Sequence, residues 1–145
     1  MKTCGAIMTK DLTCCLRDEM VSAVAKMMKQ ANIGSIPVIE DTQTMKILGI
    51  VTDRDLAVKV VAEGRDAKTT KVSAVMTHNV ITCSPEDDLQ VALDLMSKHQ
   101  LRRLPVLDKE KNLVGIIAQA DVAIRVNEPE ETAAMVKGIS RSNMK

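Results

Sequence analysis

The chain contains two copies of one sequence pattern. Met8-Thr9 recurs as Met76-Thr77, and Gly49-Ile50 recurs as Gly115-Ile116, in the same order and at closely similar spacing. A long period that is present twice indicates two copies of one supersecondary unit and not a solenoid of many short repeats. A unit of about 60 residues buries only a marginal core by itself, so the two copies are expected to pack on each other.

Each copy predicts the element order β-α-β-β-α. Short β-branched apolar runs bounded by polar turns are typical of buried strands. Such runs predict strands at 11–15, 35–39 and 47–51 in the first copy, and at 80–83, 103–107 and 113–117 in the second.

Helices are expected after the first strand and at the end of each copy. Ser84, followed by Pro85 and three acidic residues, is typical of a helix N-terminus with Ser84 as the N-cap. The closing helices are expected from near Asp55 to Gly64 and from about Asp121 to Asn127. Apolar residues at helical spacing predict the buried faces, which are Met20, Val24, Met27 and Met28 in the first copy and Leu89, Ala92, Leu93 and Met96 in the second.

These elements predict an α/β (α+β) fold of two β-α-β-β-α repeats, packed with pseudo-twofold symmetry, plus a short C-terminal helix. The expected divisions are repeat 1 at 1–64, a polar linker at 65–72, repeat 2 at 73–127, and a C-terminal helix and tail at 128–145. Within the last segment, the helix is expected at 129–140.

The composition narrows the possible classes of function. The net charge is +1 and there is no Phe, Tyr or Trp, so a nucleic-acid partner is not expected. No apolar run approaches the roughly 20 residues of a membrane span, and no signal peptide is evident, so we expect a cytoplasmic protein without a membrane partner. The four cysteines are then expected to be reduced thiols, and the ten methionines favour a homodimer interface.

The repeated pattern resembles the tandem CBS domain, also called a Bateman module. The resemblance lies in the Met-Thr openings, the strands Ile36-Pro37-Val38 and Leu104-Pro105-Val106, and the closing Gly-x-x-Thr-x-x-Asp pattern. It implies a pair of repeats that binds an adenosine-containing ligand (AMP, ADP, ATP or S-adenosylmethionine) in clefts between the repeats. It also implies that this chain is a stand-alone pair that regulates a partner protein. Members of the family often stack two such pairs into a disc-like dimer.

Residues 49–55 are the expected ligand site of the first copy. Asp55 lies one helical turn after Thr52, and its carboxylate could accept hydrogen bonds from both hydroxyls of a ribose diol. The Thr52 hydroxyl and the free amides at the helix start could meet a phosphate. The same spacing is also that of a helix capping box, which needs no ligand. The resemblance favours the ribose contact.

The second copy differs at its matching site. Asp121 is present, but Ala118 replaces the threonine, so phosphate contacts there are expected to be weaker. Arg102 and Arg103 lie where the resemblance implies phosphate-binding cations, although a solvated pair beside a strand is an alternative. The resemblance implies that residues of both repeats line each cleft, so Arg102 and Arg103 could serve the Asp55 site. The Thr52–Asp55 site is therefore expected to bind the ligand more tightly than the Asp121 site.

An adenine ring would have to lie between aliphatic side chains, since the chain has no Phe, Tyr or Trp. Thr82 is expected to contact the edge of the base, with Cys14 as the less favoured alternative. The candidate aliphatic contacts, for each of which core packing is an alternative, are Ile50, Ile116, Val38 and Val106.

No arrangement in the sequence predicts catalysis or a metal site. There is no nucleophile–base set, and the cysteine spacing matches no zinc pattern. The expected function is therefore a non-enzymatic sensor with no required cofactor, which acts on an unidentified regulated protein through dimer geometry. Two alternatives stay open: a redox-responsive oligomer controlled by the cysteines, and a structural pair without ligand binding.

Overall fold

The computed structural model describes residues 2–125, which form two compact units. Within the described residues, the first-copy unit consists of residues 13–80, and the second-copy unit consists of residues 2–12 together with residues 81–125. The N-terminal segment of the chain therefore packs with the second sequence copy. The helix expected at 129–140 and the end of the helix expected at 121–127 lie outside the described residues.

The first-copy unit is a three-stranded sheet with helices. Its strand order is β1-β2-β3, with β1 parallel and β3 antiparallel to the central β2. A π-helix over Ala57–Val61 continues α3, and a short 3-10 helix covers Val72–Ala74. The elements are β1 Cys15–Leu16, α2 Val21–Ala31, β2 Ser35–Ile39, β3 Ile47–Thr52 and α3 Asp53–Leu56.

The second-copy unit repeats this arrangement around a two-stranded sheet. Its strands β4 and β5 are antiparallel. Their register shifts between Val106 and Leu107, as that of β2 and β3 shifts between Val38 and Ile39. Its elements are α1 Cys4–Ile7, α4 Leu89–His99, β4 Arg103–Leu107, β5 Leu113–Ala118 and α5 Gln119–Arg125. The mixed α+β class predicted from the sequence is confirmed.

Each unit has its own hydrophobic core. In the first-copy unit Val24 and Met28 of α2 are buried as predicted, whereas Met20 and Met27 are half-buried. In the second-copy unit all four predicted residues of α4 are buried. Both helices end at a residue with left-handed backbone, Asn32 and Gln100, so the repeat extends to the helix ends.

The predicted strands at 11–15 and 80–83 are largely wrong. The first is reduced to Cys15–Leu16, and the second to a single bridge between Cys83 and Val106. The segments before these positions instead form isolated β-bridges to β5 and β3 of the two sheets. Thr9 pairs with Ile116, and Thr77 pairs with Ile50.

The predicted N-cap at Ser84 is also wrong, because α4 begins at Leu89 with Asp88 as its N-cap. Residues 84–87 form a turn in which the Ser84 amide donates to the Asp87 carboxylate at 2.9 Å. The N-terminal segment lies along this turn, and the Leu89 amide donates to the Lys2 carbonyl at 2.8 Å. A backbone carbonyl from the N-terminal segment thus satisfies one of the amides that have no partner within the first turn of α4. None of the helices described over residues 2–125 is long and apolar enough to cross a membrane.

Candidate functional site

The junction of β3 and α3 is closed by a complete capping box. The Thr52 hydroxyl accepts a hydrogen bond from the Asp55 amide at 3.1 Å, and Asp55 Oδ2 accepts one from the Thr52 amide at 2.9 Å. The Thr52 hydroxyl also donates to Asp55 Oδ2 at 3.1 Å. The capping interpretation of this spacing is therefore confirmed, and Asp55 is buried with 7% of its surface exposed.

Thr77 also reaches the Asp55 carboxylate, which sequence reasoning missed. Its backbone pairs with Ile50 through two hydrogen bonds of 2.9 and 2.8 Å, beside Gly49. Its hydroxyl lies 3.3 Å from each oxygen of Asp55. The chain's own Met76-Thr77 segment thus lies against the backbone at Gly49, where no side chain stands in the way.

Lys59 is the counterion of Asp55 and was likewise missed. Its ammonium lies 3.1 Å from Asp55 Oδ1 and donates to the Val75 carbonyl at 3.0 Å. The spacing of four residues was an available signal, since such pairs face each other on a helix. Lys59 and Thr77 together tie the start of α3 to the segment that follows the 3-10 helix.

The second-copy unit repeats the threonine–aspartate contact. Thr9 donates from its hydroxyl to Asp121 Oδ2 at 2.8 Å, and its backbone pairs with Ile116. The Gln119 amide donates to the Arg102 carbonyl at 2.9 Å, as the Asp53 amide donates to Gly34 in the other unit. Both aspartates therefore lie at the same kind of strand–helix junction, each beside the threonine of a Met-Thr segment.

The two predicted cations have different surroundings. Arg102 is exposed, whereas Arg103 is half-buried at the start of β4, opposite Ala118 of β5. Burial lowers the pKa of Arg103, and the nearby charge of Asp121 opposes this effect. Arg103 Nε is buried and has no hydrogen-bond partner among the described residues.

Most of the predicted base contacts lie in the hydrophobic interior. Val38 and Val106 are fully buried in the cores of their units, and Ile116 is 3% exposed. Ile50 and Thr82 are half-buried, so of the five predicted contacts these two keep most access to solvent. Val38 and Val106 therefore have the core-packing role that was the alternative to base contact.

The four cysteines are free thiols. Burial raises the pKa of Cys14 to about 11 and that of Cys15 to about 12. A hydrogen bond between the Cys4 and Cys83 thiols lowers the pKa of Cys4 and raises that of Cys83. Within residues 2–125 no three His, Cys, Asp or Glu side chains are grouped as metal ligands would be.

Comparison with known proteins identifies related chains and structures. The CBS domain family model matches residues 4–62 and 72–128. The CBS domain-containing protein YhcV of Bacillus subtilis is 37% identical over 137 residues, which cover 94% of each chain.

Two solved structures are also similar. Hypoxic Response Protein I, crystallised with two coordinated zinc ions, has a TM-score of 0.76 at 31% identity and covers 86% of this chain and 99% of its own. The CBS domain pair of protein MJ0100, in complex with 5′-methylthioadenosine and S-adenosyl-L-methionine, has a TM-score of 0.72 at 25% identity. It covers 86% of this chain and 94% of its own. The resemblance recognised in the sequence is confirmed.

Proposed function

The chain belongs to the CBS domain family, and we propose that it is a non-enzymatic regulatory module for an adenosine-containing ligand. The ligand class is AMP, ADP, ATP or S-adenosylmethionine. One observation carries the proposal: an aspartate at a strand–helix junction meets a threonine hydroxyl twice, at Asp55 and at Asp121. The adenosine ligands of the MJ0100 pair support the choice of class.

The ribose contact is assigned to the two aspartates. A carboxylate accepts two hydrogen bonds from a cis-diol in a geometry that a single threonine hydroxyl cannot satisfy. A diol would replace the threonine hydroxyls of Thr77 and Thr9 as donors to Asp55 and Asp121. At each site the exchange removes one hydroxyl donor and supplies two.

The phosphate contact is assigned first to Arg103. Its Nε is a buried donor that has no hydrogen-bond partner among the described residues. Leaving a buried donor unpaired costs about 1–3 kcal/mol of stability. An anion at this position would satisfy that donor and offset the burial that lowers the pKa of Arg103. Arg102 and Thr52 are further candidates for phosphate, and Ile50, Ile116 and Thr82 are candidates for the base.

The output of ligand binding is proposed to be a change in homodimer geometry that an unidentified regulated protein detects. A ligand shifts such an equilibrium only as far as its affinities for the two states differ. Ligand-dependent change in the scattering profile of the purified protein is the direct measurement of this output.

The ligand site is tested by calorimetric titration with AMP, ADP, ATP and S-adenosylmethionine. Asp55→Ala and Asp121→Ala are each expected to weaken binding at their own site at least tenfold, as expected for loss of a hydrogen bond to a charged group. Asp94→Ala, which removes an exposed carboxylate of α4, is the matched control and should bind like the unchanged chain. Absence of heat with all four ligands, together with no adenine absorbance in the purified protein, would contradict the proposal.

A further inference from the structure

The Asp55 carboxylate is already fully used within its own unit. Carboxylate oxygens offer about four acceptor positions. The donors present are the Thr52 amide, the Thr52 hydroxyl, the Thr77 hydroxyl and the Lys59 ammonium. A ribose diol brings two more donors, so two of the present donors have to leave before both of its hydroxyls can bind.

The donors differ in how easily they leave. The two Thr52 contacts belong to the capping box, and releasing them would open the first turn of α3. The Lys59 side chain is 40% exposed, against 10% for Asp55, so its ammonium can turn to water when it is released. The Thr77 hydroxyl is shared between both oxygens at 3.3 Å, which is a long contact for a hydroxyl donor.

We propose that Lys59 is a built-in competitor of the ligand at Asp55. It neutralises the buried carboxylate in the absence of ligand and is displaced when the ribose diol binds. This inference rests on the proposed function, since it concerns how that same site is regulated. An Asp55 carboxylate paired with Lys59 cannot bind the diol. The measured dissociation constant is therefore the intrinsic constant divided by the fraction of chains in which Lys59 has left Asp55.

Displacement of Lys59 also removes a tie within the unit. The same ammonium donates to the Val75 carbonyl, at the end of the 3-10 helix. Ligand binding at Asp55 therefore releases both Lys59 and Thr77 from the carboxylate, and with them two links between α3 and residues 75–77. This segment is the opening of the second sequence copy.

The test measures binding of adenosine to full-length chains that carry Asp121→Ala, so that the Asp55 site alone is observed. Adenosine has no phosphate, so that an attraction of Lys59 to phosphate does not enter the result. The adenine proton H8 can be followed by NMR in D2O, because His78 and His99 are the only aromatic side chains of the protein. The variants are Lys59→Met and Lys59→Gln, with Lys26→Met, an exposed lysine of α2, as the control.

Lys59→Met is expected to bind adenosine about fivefold more tightly, which is the scale of a partly exposed ion pair. Lys59→Gln should give a gain of the same sign, and Lys26→Met none. The gain should shrink for 2′-deoxyadenosine, which lacks one hydroxyl of the diol. Circular dichroism spectra equal to that of the parent chain establish that each variant is folded, and an unfolded Lys59→Met leaves Lys59→Gln to decide.

Equal or weaker binding of adenosine by the folded Lys59 variants would overturn the inference. If the chain without any substitution still binds an adenosine ligand in that case, the proposed function stands and only the role of Lys59 is wrong. If that chain binds none of the four ligands or adenosine, the proposed function fails as well.

Discussion

Replacing Gly49 by alanine is expected to detach the Met76-Thr77 segment from β3. A Cβ atom at position 49 would lie 2.7 Å from the Thr77 carbonyl oxygen and 3.0 Å from Met76 Sδ. The sulfur can move by rotation of a flexible side chain. The carbonyl cannot, because it belongs to a backbone that Ile50 holds through two hydrogen bonds.

The cost follows from what must move. The two Thr77–Ile50 backbone bonds, of 2.9 and 2.8 Å, each contribute about 1 kcal/mol net. Incomplete relief of the overlap adds about 1 kcal/mol, at the low end of the cost of overpacking. We therefore expect Gly49→Ala to lower the free energy of unfolding by about 2–3 kcal/mol. The Thr77 hydroxyl would leave Asp55 at the same time.

Urea unfolding followed by far-ultraviolet circular dichroism measures this loss. Tryptophan fluorescence cannot be used, because the chain has no tryptophan. Gly34→Ala is the matched control. Its Cβ would lie 2.8 Å from Asp53 Oδ2, an exposed carboxylate that can rotate away, so we expect a change within about 0.5 kcal/mol. Equal stability of the two variants would refute the argument that a backbone carbonyl makes Gly49 necessary.

Two further predictions concern Arg103 and the cysteines. Arg103→Met is expected to weaken AMP binding about tenfold in calorimetry while leaving the melting temperature unchanged or higher, because it removes a half-buried cation whose buried Nε has no hydrogen-bond partner among the described residues. Cys14, whose pKa is raised from 9.0 to about 11, is expected to react with a disulfide reagent at neutral pH about a hundredfold more slowly than an ordinary thiol. Its rate should rise about tenfold per pH unit until the pH approaches 11, and Cys15 should be slower still. Rapid modification of either thiol at neutral pH would favour the redox alternative.

The central strands and the long helices could be predicted from the sequence because their signals are local. The runs at 35–39 and 103–107 form strands with the predicted bounds, and 47–51 and 113–117 each extend by one residue. Their β-branched residues favour extended backbone, and the duplication gives each prediction a second, independent instance. Apolar spacing likewise predicted the buried face of α4 in full, and two of the three buried residues of α2, Val24 and Met28.

The start of α4 could not be predicted because it depends on a distant segment. Ser84 and Pro85 have the residue types of a helix start, yet their backbone is engaged elsewhere: the Gly5 amide donates to the Pro85 carbonyl at 2.9 Å. Local propensity is a weak preference that tertiary contacts override. The ion pair of Lys59 with Asp55 was missed for another reason. The sequence pattern indicated which ligand groups Asp55 could bind, and the lysine one helical turn later was not considered as its partner.

The threonine partners of the two aspartates could not be assigned because the duplication makes two assignments equivalent. Thr9 and Thr77 open their copies at the same place, and Asp55 and Asp121 close theirs. In the structure Thr77 meets Asp55 across 22 residues, and Thr9 meets Asp121 across 112 residues. Loop-closure entropy grows only slowly with length, so the longer closure adds little cost. Each threonine therefore meets the aspartate of the other sequence copy, and a single copy would contain neither pair. Duplication is thus a requirement of the site itself and not only of the hydrophobic core.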